Sequence, residues 1–185
     1  MNKVTIVGVV VALVVVGGGF LFFQNSNLGS PTPQPGQSVF DGKNSTFTID
    51  GHEVTLVNGV SAVPAAPGSA SMVTTRYFGN EATGDLSGDG LADTAFLVTQ
   101  DGGGSGLFYY AVVALKTPTG YKTTNAFLVG DRIAPQTTQI NTNAQELYVN
   151  FAERKPGEPM SAQPSVGATL YLKATPQGVL EGLMK

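Results

Sequence analysis

Residues 85–93 read DLSGDGLAD, three aspartates four positions apart with a serine and two glycines between them. Hard cations such as calcium take several oxygen ligands from a flexible backbone. Loops of the D-x-[DNS]-x-D-G-x-x-D type supply side-chain oxygens at positions 1, 3, 5 and 9 and a backbone carbonyl at position 7. Glycine at position 6 permits the sharp turn. Asp85, Ser87, Asp89, Leu91 and Asp93 fill these ligand slots, and Gly90 holds the glycine slot. The pattern therefore predicts one bound Ca2+ ion. Three carboxylates on one short loop repel one another unless a cation sits among them. The bland alternative is a solvated turn, since Asp and Gly are turn residues in any case.

Position 12 of the pattern is Phe96, where an EF-hand carries a bidentate glutamate. The flanks read as strands, so the expectation is a calcium loop between strands, with a dissociation constant on the order of 10⁻⁴ M. Glu81 is a candidate accessory ligand. The next strand should carry Asp101 some 20 Å away, out of reach of the ion. If the following strand returns antiparallel, residues 116–121 lie back beside the loop.

Other chemistry is thin. GGGSG, residues 102–106, fails the G-x-S-x-G pattern because Leu107 takes the last glycine slot. It reads as a hairpin loop. His52 is the only histidine and should begin an exposed strand after Asp50-Gly51, with no serine positioned for it. Residues 130–138 and 153–160 carry Asp131, Arg132, Glu153, Arg154 and Lys155. They read as loops held by ion pairs and hydrogen bonds, with a ligand-facing charged patch as the alternative. No catalytic constellation is visible, so the sequence points away from an enzyme.

The elements that must position this loop read as β. From Val39 onward no long 3.6-residue period appears, and short apolar runs alternate with Gly, Pro, Asn and Asp. Asp50-Gly51 and Asn58-Gly59 are preferred pairs for tight hairpins. Strands are expected over 46–49, 52–57, 60–63, 72–78, 94–99, 107–115, 121–129, 146–151 and 168–173. The runs at 94–99 and 107–115 are the most apolar and are expected at the centre, buried on both faces. A short helix is a minor alternative at 68–75 or 143–146. The fold class is all-β: a sandwich, a barrel-like sheet or a twisted antiparallel sheet.

The chain has 185 residues, with charged residues at 12 %, a net charge of −3 and no cysteine. That excludes disulfides, zinc-thiolate sites and a thiol nucleophile, and it gives no basic footprint for nucleic acid. Residues 4–23 carry no charge. As a helix they span roughly 30 Å, the thickness of a bilayer core. An N-terminal transmembrane helix over residues 1–23 is expected, with Lys3 favouring a cytoplasmic N-terminus. A cleaved signal peptide is the rival, and both place the domain outside the cytoplasm. Residues 24–38 read as a proline-bearing linker, and residues 39–185 as the extracytoplasmic β domain.

RYFGNEATGDLSGDGLADTAFLVTQDGGGSGLFYYAVVAL, FLVGDRIAPQTTQI and ERKPGEPMSAQPSVGATLYL together resemble a family of exported bacterial proteins of candidate-phylum type with a single DxDGDGxxD calcium-type loop. The resemblance covers about residues 47–173, and the loop is also similar to those of FG-GAP repeats. It implies an exported domain with a calcium loop and supplies no activity. The expected function is a membrane-anchored binding or envelope-associated module with an unknown protein or glycan ligand. The alternatives are an envelope hydrolase or lysozyme-type hydrolase inhibitor, and a purely structural surface protein.

Overall fold

The computed structural model describes residues 39–184, and the expected anchor and linker lie outside that range. The described residues are all-β, with 58 % strand and no α-helix. A 3₁₀ turn at Gly42–Asn44 leads into β1 (Thr46–Ile49) and β2 (His52–Thr55), which form a two-stranded sheet of their own. Then follow β3 (Val60–Pro64), β4 (Met72–Gly84), β5 (Asp93–Asp101), β6 (Phe108–Thr117), β7 (Gly120–Thr123) and β8 (Phe127–Asp131). These build a six-stranded sheet in the order β3-β4-β5-β6-β7, with β8 also pairing β6. The last four strands are β9 (Ala134–Asn141), β10 (Glu146–Glu153), β11 (Val166–Ala174) and β12 (Leu180–Gly182). They form a second sheet in the order β12-β11-β10-β9. Every strand pairing is antiparallel.

The six-stranded sheet lies between two partners. Successive side chains of a strand point to opposite faces, and β5 and β6 are apolar on both. Ala95, Leu97, Ala111 and Val113 pack with Leu147, Val149, Phe151 and Leu172 of the four-stranded sheet. Phe96, Val98, Tyr110 and Val112 pack with Phe47, Ile49 and Leu56 of the β1–β2 segment. Each fully buried side chain of this kind stabilises by about 1.5–3 kcal/mol. Phe96 is the largest fully buried side chain, ringed by Phe40, Tyr77 and Phe47 at centroid distances of 5.6, 5.8 and 6.1 Å.

The central pair is as the sequence predicts, and both hairpin turns form. Asp50 and Gly51, then Asn58 and Gly59, take left-handed φ values of 49°, 79°, 51° and 86°, as a type I′ turn requires. Three expectations change. No helix forms at 68–75 or 143–146; a turn and the start of β4 replace the first, and a turn into β10 replaces the second. The run at 121–129 is two strands, broken where the Thr124 Oγ1 accepts from Val113 N and Ala126 N donates to the Thr48 carbonyl. Residues 134–138, read as part of a loop, belong to the edge strand β9, which runs to Asn141. Pro135 is tolerated there because an edge strand leaves half its amides without a ladder partner.

Phe96→Ala should lower the unfolding free energy by about 3–5 kcal/mol in a urea titration. Exposed Val63→Ala should change it by less than about 0.5 kcal/mol. Similar losses at the two positions would mean that the aromatic cluster does not anchor the β1–β2 hairpin.

Candidate metal centre

The aspartate loop is a hairpin connection. Gly84 pairs with Asp93 at the base, so β4 and β5 clamp its two ends. Leu86 is buried and packs into the core beneath. Gly88 and Gly90 sit at φ of 81° and 83°, where a β-carbon is disfavoured. A β-carbon at Gly88 would also lie 2.0 Å from the Gln145 side-chain nitrogen, which would have to swing aside. The turn between β9 and β10 is thus packed against the loop.

The loop's carboxylates already have donors. Asp85 Oδ1 accepts from Gly88 N at 2.6 Å, and Oδ2 accepts from Gly90 N at 2.8 Å. Asp89 Oδ1 accepts from Leu91 N at 2.8 Å. Asp93 is fully buried. Its Oδ2 accepts from Leu86 N and Ser87 N, both at 2.9 Å, and its Oδ1 from Lys116 N at 2.8 Å. These amides satisfy the carboxylate oxygens within the loop itself. Ser87 and Asp89 are exposed, Asp85 and Leu91 half-buried. Among the described residues no three His, Cys, Asp or Glu side chains gather closely enough to hold a metal. The five predicted ligands share one short loop, but Asp93 faces inward as its tie. Of the other four, Ser87 and Asp89 are at the surface, and both Asp85 carboxylate oxygens are turned to loop amides.

The surroundings match the expected geometry in part. The bond from Lys116 brings residues 116–121 back beside the loop. Asp101 lies at the other end of β5, where it accepts from Gly103 N at 2.8 Å. Glu81 accepts from the Tyr77 hydroxyl. Burial, and then that carboxylate, push the Tyr77 hydroxyl well above its ordinary range.

The two charged loops meet at the end of the sheet opposite the aspartate loop. Asp131 pairs with Phe108, which pairs with Gln100. Arg132 Nε and Nη2 bond the Asp131 carboxylate at 3.0 and 2.5 Å, and Asp131 Oδ1 accepts from Leu107 N. Arg154 donates to the Ala162 and Arg132 carbonyls at 2.7 and 2.8 Å. These charges knit loops together. The hydrogen bond from Arg132 holds the Asp131 carboxyl below its ordinary value of 3.8.

His52 begins β2 and is exposed, as expected. Sequence reasoning missed that it lines a cleft with Asp50, Glu53 and Ser61. No local signal marks that cleft, because its two sides come from separate sheets. Compared with known proteins, the chain matches no family model, no curated protein and no solved structure.

Two outcomes are expected. Asp93→Ala should cost at least about 3 kcal/mol in chemical denaturation, with or without calcium, because it strands three amides; a loss under about 1 kcal/mol would show that they find other partners. The lowered Asp131 value stabilises the fold above the unfolded-state pKa, and this is lost as pH falls through the folded one. Asp131→Asn should therefore flatten the acid limb of the stability curve below about pH 4. An unchanged limb would contradict the pairing.

Proposed function

We propose that this chain is a membrane-anchored, extracytoplasmic β domain that acts as a binding or envelope-associated module and not as a catalyst. Its aspartate loop takes one structural calcium ion. The observation that supports this best is the preformed loop. Asp85 draws the amides of Gly88 and Gly90 inward, Asp93 ties the base, and the oxygens of Ser87 and Asp89 stay exposed. The ion would be held by Asp85, Ser87, Asp89 and the Leu91 carbonyl. With so few carboxylates the affinity is on the order of 10⁻⁴ to 10⁻³ M, that of extracellular modules. Residues 4–23 supply the anchor in this reading.

Full-length protein in detergent should melt higher in 5 mM-scale calcium than in EDTA, by roughly RT ln(1 + [L]/Kd), about 1–2 kcal/mol. Asp89→Ala should remove the difference. Equal melting in calcium and EDTA would favour a loop that its amides alone hold in shape.

A second reading is an envelope hydrolase, or an inhibitor of a lysozyme-type hydrolase. One observation favours it: the cleft that gathers Asp50, His52, Glu53 and Ser61. Release of fragments from labelled peptidoglycan, abolished by His52→Ala, would replace the first reading with the enzyme.

A further inference from the structure

The cleft beside the β1–β2 hairpin belongs neither to the aspartate loop nor to the charged loops. Its volume is about 440 Å³, within the range of ligand pockets. Val63, Val73 and Gln100 of the six-stranded sheet line one side, and His52 and Glu53 of β2 line the other, with Asp50 at the hairpin turn. No lysine or arginine lines it. Neither Asp50 nor Glu53 has a hydrogen bond or ion pair among the described residues. The cleft therefore carries the Asp50 carboxylate at its rim over an apolar surface, and strand alternation sets the Glu53 carboxylate on the opposite face of β2, beside the same edge.

A strand edge borders this cleft. The hairpin closes with Ile49 opposite His52. In a two-residue hairpin that closing pair is hydrogen-bonded, and bonded pairs then alternate. His52 and Val54 thus direct their backbone groups at β1, and Glu53 and Thr55 turn theirs outward. After the single Val57–Val60 bridge the chain leaves β2, and β3 pairs with β4 instead. Among the described residues β2 pairs only with β1.

We propose that the cleft binds an extended cationic peptide, which adds to the free edge of β2 as a third strand. Its main chain bonds the outward groups of Glu53 and Thr55, while lysine or arginine side chains on one face of the peptide meet Glu53 on the outer face of β2 and Asp50 at the turn. An alternate apolar side chain covers Val63 and Val73. Edge addition of this kind draws affinity from main-chain bonds and specificity from pockets for alternate side chains. Charge decides the occupant. A second copy of this chain, pairing β2 with β2, would bring Asp50 and Glu53 against their own like charges. A small free cation would leave the strand edge unused.

The proposal deepens the binding-module reading and rests on it, but it does not need the calcium loop. Gln100 stands seven residues along β5 from Asp93, roughly 23 Å away. The probe is a fluorescein-labelled acetyl-VKVKV-amide, titrated by anisotropy against full-length protein in detergent, once in EDTA and once in calcium. Saturable binding in both is expected, with amide shifts at Glu53 and Thr55. The double variant Asp50→Asn, Glu53→Gln should weaken binding at least tenfold, about 1.4 kcal/mol. Asparagine tolerates the left-handed φ of residue 50, and an unchanged melting temperature verifies the fold. N-methylation of alternate peptide amides should also weaken binding about tenfold, and acetyl-VEVEV-amide should not compete.

Absence of saturable binding would overturn the proposal and leave the calcium reading untouched. Equal affinity for the acidic or the N-methylated peptide would overturn it as well. So would equal competition by butylammonium, which would make the cleft a small-cation site. A concentration-dependent dimer that the peptide does not dissolve would assign the edge to a second copy.

Discussion

The structure depends on a sheet that is buried on both faces. β5 and β6 carry apolar side chains toward the hairpin on one side and toward the four-stranded sheet on the other. An ionised group in such a layer costs several kcal/mol unless it is fully satisfied. Polar chemistry is accordingly displaced to the strand ends. The aspartate loop occupies one end of β5, and the cleft and the charged loops gather at the other. Phe96 shows the same constraint at single-residue scale. It stands where an EF-hand would place a glutamate, and it is the centre of an aromatic cluster, so no acid fits there.

Asp93 is the exception that defines its layer. It is fully buried at the first position of β5, and its carboxylate oxygens accept from amides of the loop and of the end of β6. One side chain thus fixes the loop base, the beginning of β5 and the end of β6 relative to one another. The carboxylate does for the hairpin what a cap does for a helix: it accepts from amides that no ladder can reach.

Much of this was legible in the residues, and the remainder was not, for identifiable reasons. Asp50-Gly51 and Asn58-Gly59 announce their turns because few other pairs accept two left-handed residues. The apolar runs of β5 and β6 announce a doubly covered centre. The edge strand β9 was hidden by Pro135 and by its polar face, and the break at residues 124–126 by bonds to strands distant in sequence. At the loop, side-chain types marked the five slots. The inward turn of Asp93 was not marked, since it depends on Lys116, which lies in another hairpin. The cleft had no local signature at all, because two sheets must meet to form it.

The β1–β2 hairpin holds the first strands of the described residues, just after the 3₁₀ turn at Gly42–Asn44. Its strands join the rest of the fold through few backbone bonds, such as Ala126 N to the Thr48 carbonyl, and the 3₁₀ turn before them is held by Gly59 N to the Lys43 carbonyl. A pull entering at Val39 would load these bonds and the Thr46–Thr55 end of the hairpin one after another, in the manner of a zipper, and not all together as in shear. The hairpin would yield at low force while β4, β5 and β6 stayed intact. A force trace would record this as a small early step before the main rupture, and the wall of the cleft would be the part that gives way first.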